Sequence, residues 1–151
     1  NITIIETDGY CIGSYLLANK NKAMFMHDSM EVKDKYWLER FVKKDTGGII
    51  AHSVFPFSWD NDEQKHFIGL GDADWGVFGP IFYTSNFNKL KKYFEKKIPS
   101  NANEARAWER GLGCVCKLEK LPIESVYGVF DYEAVAGDKL KGLKKIFALR
   151  N

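Results

Sequence analysis

Apolar and polar positions recur along this chain in short runs, and one stretch organises the rest. Residues Trp75 to Lys97 read WGVFGPIFYTSNFNKLKKYFEKK. Gly76, Gly79 and Pro80 break the chain, Ile81, Phe82 and Tyr83 form a β-prone run, and Thr84, Ser85 and Asn86 put polar side chains where a helix starts. Phe87, Leu90, Phe94 and Ile98 then recur at three- and four-residue steps, the spacing of one helix face. The pattern predicts a turn, a short strand, a polar hinge and an amphipathic helix, in that order.

Upstream, Asn1 to Thr7 predicts a strand, Asp8-Gly9 a turn and Tyr10 to Leu17 a second strand, together a hairpin. Ala23 to Met26 predicts a short strand that ends in His27, Asp28 and Ser29. A helix over Met30 to Lys44 follows, with Asp28 and Glu31 at capping-box spacing, and Gly47-Gly48 ends it. Ile49 to Phe55 is strand-like with His52 in its middle, and Pro56 stops regular pairing. Ser58 to Lys65 reads as an acidic loop and His66 to Leu70 as a short apolar run. Downstream, Asn101 to Arg110 predicts a helix, with Asn101 and Glu104 again at capping-box spacing and Gly111 and Gly113 closing it. Cys114 to Leu118 and Val126 to Tyr132 predict strands, and Leu140, Leu143 and Phe147 a short final helix. Strands and helices do not alternate strictly. The expectation is one α+β domain over residues 1–151, with a mixed or mostly antiparallel sheet and three to four helices.

Composition agrees with a folded chain of this size. Of 151 residues, 45% are hydrophobic and 15% aromatic, which argues against disorder. Twenty-two basic and twenty acidic side chains leave a formal charge of +2, so charge alone announces neither a nucleic-acid nor a membrane partner. Cys11, Cys114 and Cys116 make a poor disulfide framework, and the reading is a cytoplasmic protein with reduced thiols and no membrane partner. Cys114 and Cys116, two apart on a strand, would share one face. No apolar run approaches the roughly 20 residues of a membrane span, and the N-terminal stretch lacks the pattern of a signal peptide. The Lys-, Asn- and Phe-rich vocabulary suits an AT-rich bacterial or phage genome.

A strand ending in His-x-Ser, a helix, then FGPIFYTS and a helix carrying a further Tyr resembles the His-Tyr-Glu type of ADP-ribosyltransferase, the poly(ADP-ribose) polymerase-like group. The positions that carry the resemblance are His27, Ser29, Gly79, Tyr83 and Tyr93. The resemblance implies NAD as substrate and a protein or nucleic-acid target. It implies that His27 binds the nicotinamide ribose, that Tyr83 stacks on the nicotinamide ring, and that a late carboxylate, Glu133 with Glu124 behind it, completes the site. Asp28 stands where that family usually has Gly, and the interval from His27 to Tyr83 is longer than its pattern. The chemistry suits these residue types. An imidazole hydrogen-bonds a ribose hydroxyl, an aromatic face holds a flat cationic ring, and a carboxylate stabilises an oxocarbenium ion.

Two other function classes stay open. The first is a small non-enzymatic protein that binds and inhibits or regulates a partner protein, since aromatic side chains anchor interfaces. The second is a nucleic-acid-binding module whose Lys89, Lys92 and Lys96 lie on one helix and Lys141, Lys144 and Lys145 on another. Asp60, Asp62, Glu63, His66, Asp72 and Asp74 carry hard ligands, but their spacing does not match a twelve-residue calcium loop, and no metal is expected. Ser53 beside His52 is expected to point away from it, because neighbours on a strand face opposite ways.

Overall fold

The structure, a computed structural model, describes residues 10–27, 30–129, 139–140 and 143–145, the last two segments and residues 10–11 as backbone alone. The predicted strand Asn1 to Thr7, its turn, Asp28 of the predicted capping box, Ser29, Glu133 and Lys141 lie outside the described residues, as do the side chains of Lys144 and Lys145. The chain is α+β, built on a four-stranded mixed sheet. Strands β1 (Ala23–Phe25), β3 (Ile49–Ala51), β6 (Phe82–Thr84) and β7 (Ile123–Ser125) stand in the order β1-β6-β3-β7. β6 runs antiparallel to both β1 and β3, and β7 runs parallel to β3. Hence β1, β3 and β7 point one way and β6 the other.

Alternation along the strands divides the core in two. Phe25, Ile49, Ala51 and Phe82 face a large cluster shared with Ile12 and Tyr15 of α1 (Tyr10–Tyr15), Phe87, Leu90 and Phe94 of α4 (Phe87–Lys96), and Trp108, Leu112 and Val115 of α5 (Ala102–Glu119). Ile50, Ile81 and Tyr83 face the other way, onto Trp37 and Phe41 of α2 (Trp37–Val42). Two smaller sheets flank this layer: β4 (Val54–Pro56) with β5 (Trp75–Val77), and β2 (Met30–Val32) with β9 (Leu143–Lys145) and β8 (Lys139–Leu140).

The opening stretch folds as its pattern predicts, with β6 followed by α4. Its cap is not local. Thr84 Oγ1 accepts from the Asn86 N–H at 3.0 Å and donates to the Gly48 carbonyl at 2.8 Å. Asn21 receives the first free N–H groups of α4, the Phe87 N–H on its carbonyl at 2.9 Å and the Asn88 N–H on its Oδ1 at 3.0 Å. The predicted cap of α5 forms as expected: Asn101 Oδ1 accepts from the Glu104 N–H at 2.9 Å.

Several predicted elements change type. Residues 10–15 form α1 rather than a strand, and the acidic loop closes into α3 (Asp62–Ile68), which Asn61 caps through the Gln64 N–H at 2.9 Å. The predicted helix from Met30 becomes β2 and starts as α2 only at Trp37. Where a C-terminal helix is predicted, Lys139–Leu140 and Leu143–Lys145 pair as strands. The largest change is α5, which runs through Gly111 and Gly113 and takes in the predicted strand from Cys114. Those glycines serve packing, not termination. A Cβ on Gly113 would lie 1.9 Å from the Trp75 carbonyl oxygen, and one on Gly111 would lie 2.7 Å from the Trp108 ring. Cys114 and Cys116 are therefore neighbours on a buried helix, and burial pushes both thiols up to about 12.

Candidate functional site at the carboxyl edge of the sheet

Because β1, β3 and β7 are parallel, the residues that follow them emerge at one edge, where the chain also enters β6. In open sheets with parallel strands, ligands collect outside the carboxyl ends. The residues at this edge are His27 after β1, His52 and Ser53 after β3, Tyr127 after β7, and the turn Phe78-Gly79-Pro80 ahead of β6. The turn is fastened on several sides. The Phe78 N–H donates to the Ser53 carbonyl at 3.0 Å, the His52 N–H donates to the Ile81 carbonyl at 2.8 Å, and the Tyr15 hydroxyl donates to the Pro80 carbonyl at 2.9 Å.

Gly79 is the centre of this arrangement. Its φ of +58° lies in the left-handed region that glycine occupies without strain. His27 Nε2 donates to its carbonyl, and Glu109 of α5 is near enough that the Gly79 N–H weakly favours its ionised form. Burial pushes the Glu109 carboxyl above its usual range, although the neighbouring Arg110 and Arg106 pull it down. Arg110 builds the wall behind it. Its side chain is nearly buried, donating through Nε to the Ser58 carbonyl at 2.9 Å and through Nη2 to Asp60 at 2.5 Å. Its guanidinium also lies 4.8 Å from the centre of the Phe55 ring.

The edge brings together two of the positions that carried the resemblance, His27 and Gly79, from 52 residues apart. It does not bring the tyrosines to them. Tyr83 is 6% exposed, packs with Trp37, Phe41 and Ile50, and donates its hydroxyl to Asp45 at 3.2 Å. Tyr83 pairs with Met24, whereas His27 shares the parity of Phe25 along β1. Tyr93 lies at the other end of α5, where its hydroxyl donates to Glu119 at 2.6 Å. The helix from Glu109 to Glu119 rises roughly 15 Å. Glu124 sits in β7, paired with Ile50. Glu109 lies inside the predicted helix Asn101 to Arg110, but nothing in its local pattern sets it apart from the other charged residues there, and only the packing of α5 brings it to this edge. Ile68, Leu112 and Trp108 are all buried around that helix.

Ser53 is the second departure. β3 ends at Ala51 and β4 begins at Val54, so the two residues between them do not alternate. His52 Nδ1 and Ser53 Oγ meet at 2.8 Å, against the expectation that they point apart.

The remaining constellations are dispersed. Lys92 Nζ is held 2.7 Å from Glu119, which lowers the net charge of the basic face of α4. Lys89 and Lys96 of that face are exposed. Of the acidic residues, Asp60 pairs with Arg110, Asp72 accepts from Trp59 Nε1 at 2.9 Å, and Asp74 lies 3.7 Å from Lys117. Among the described residues no three His, Cys, Asp or Glu side chains gather as a metal-ligand set, and no helix is long and apolar enough to cross a membrane. On α2, Leu38 and Val42 are exposed one helical turn apart, beside Tyr36. No protein-family model, no curated protein and no solved structure matches this chain.

Proposed function

We propose that the chain is an ADP-ribosyltransferase-like enzyme that draws its ribosyl group from NAD and works at the carboxyl edge of the four-stranded sheet. One observation supports this reading: the His27 imidazole bonds the Gly79 carbonyl, and Glu109 is near enough to the same residue for its N–H to favour the ionised carboxyl, so an imidazole and a carboxylate stand near one turn. In the reaction the bond from C1′ of the ribose to the nicotinamide nitrogen breaks, and its electron pair leaves with nicotinamide. The oxocarbenium ion left behind needs a carboxylate close by, as in glycosidases, and Glu109 takes that role until a nucleophilic oxygen or nitrogen of the target bonds to C1′ and gives up its proton to water. His27 binds a ribose hydroxyl once its hydrogen bond to Gly79 is exchanged for the substrate. Tyr83 is given no part in holding the ring, because its side chain is packed under α2.

The reading is tested by nicotinamide release and by NAD-dependent melting. NAD at many times its dissociation constant is expected to raise Tm. Glu109→Gln is expected to lower turnover by about 100-fold or more, and His27→Ala to weaken NAD binding. Glu109 serves as the ionised carboxylate and burial raises its pKa. Turnover therefore rises with pH through a midpoint above the ordinary carboxylate range. A chain that neither releases nicotinamide nor melts higher with NAD removes the proposal.

A further inference from the structure

We infer that Ser53 and His52 form a nucleophile and base pair, a second reactive centre at the same edge that uses neither His27 nor Glu109. The pair is set by the break between β3 and β4, which turns two adjacent side chains towards each other at 2.8 Å. Both residues are nearly buried, His52 at 1% and Ser53 at 4% exposure. The backbone around them is fixed: the His52 N–H donates to Ile81, the His52 carbonyl accepts from the Tyr127 N–H at 3.0 Å, and the Ser53 carbonyl accepts from Phe78. The imidazole is wedged between aromatic rings, with its centroid 4.6 Å from that of Tyr127 and 6.4 Å from that of Trp37. An imidazole so held keeps one orientation, which is what a base needs to meet a hydroxyl repeatedly.

With the other ring nitrogen carrying the proton, Nδ1 accepts from the Ser53 hydroxyl. The hydroxyl oxygen then attacks an electrophilic acyl carbon or sulfonyl sulfur. The bond from Oγ to that atom forms, the bond to the leaving group breaks, and the hydroxyl proton passes to Nδ1 of His52. Burial limits the substrate class to compact esters and acyl or sulfonyl donors. A solvated serine hydroxyl lacks both the fixed base and the dry surroundings that strengthen the hydrogen bond.

The test is covalent labelling of the whole folded chain with phenylmethanesulfonyl fluoride, located by peptide mass spectrometry. The expected result is a sulfonyl adduct on Ser53, absent from the chain unfolded in urea. A Ser53→Ala chain should carry no adduct at that peptide. His52→Gln, checked for folding by circular dichroism, should label about 100-fold more slowly. The inference is overturned by native protein that carries no adduct on Ser53, or by a folded His52→Gln chain that labels as fast as the parent. The search for the adduct uses the unaltered chain, so its absence from Ser53 overturns the inference even if the variant does not fold. NAD takes no part in the reaction, so the outcome is separate from that of the ribosyl-transfer reading.

Discussion

At the scale of single residues, polar side chains here are committed one by one to backbone groups, and those commitments separate structural residues from available ones. Asp45 is the clearest structural case. Its carboxylate accepts from the Gly47 N–H and the Ser85 hydroxyl, at 2.9 and 2.8 Å, and from the Tyr83 hydroxyl at 3.2 Å. These bonds favour the ionised form, the Gly47 N–H most, and hold its carboxyl below the usual carboxylate range. A carboxyl with a lowered folded pKa adds stability above its unfolded pKa and loses it as pH falls through the folded value. Asp45→Ala is therefore expected to cost about 1 kcal/mol at neutral pH, a figure kept small because the carboxylate is solvated. The difference from the parent chain should shrink in acid. Urea unfolding at neutral pH and near pH 3 checks both. If the loss is equal at the two pH values, the carboxylate's charge is not what holds the turn before β3. Tyr83, anchored on the same carboxylate, shows why an aromatic residue in a suggestive motif need not face a ligand.

At the scale of elements, α5 decides the architecture, and glycine was the misleading signal. An isolated Gly in a helical pattern usually costs about 1 kcal/mol against Ala, so Gly111 and Gly113 read as a stop. In the fold the cost is offset by contact, because β5 passes directly over the helix at Gly113. Gly113→Ala, which helix propensity alone would favour, is instead expected to destabilise by roughly 2 to 3 kcal/mol, since the added methyl meets a backbone carbonyl that cannot step aside. The measurement is thermal unfolding, with Tm expected to fall by several degrees. A rise in Tm would mean that the close approach of α5 and β5 does not persist in solution.

At the scale of the whole molecule, one side chain joins the irregular middle of the chain to its central helix. Arg110 reaches from α5 to Ser58, Asp60 and the Phe55 ring, and it flanks Glu109 at the candidate site. Asp60 is exposed and is solvated once Arg110 is gone, so the loss comes from the buried guanidinium's bond to the Ser58 carbonyl and its packing on the Phe55 ring. Arg110→Ala is accordingly expected to cost roughly 2 to 3 kcal/mol, and the Met variant, which keeps the aliphatic bulk, less. Equilibrium unfolding of the two variants tests this, and equal losses would assign the effect to charge alone.

What the sequence determined by itself was local. The run from Ile81 to Phe94 specified β6 and α4, because period-two and period-3.6 patterns need only near neighbours. Asn101 specified the start of α5, because a cap acts within one turn. The α+β class followed from such elements. Other features depended on partners far along the chain. Asn21 caps α4, Trp75 makes Gly113 necessary, and strand breakage after Ala51 turns Ser53 onto His52. The candidate site divides in the same way. His27 and Gly79 were readable as residue types at the ends of predicted elements, but Glu109 came to them only through the packing of α5. Side-chain spacing is written in the chain, whereas the meeting of distant residues is set by which faces the core buries.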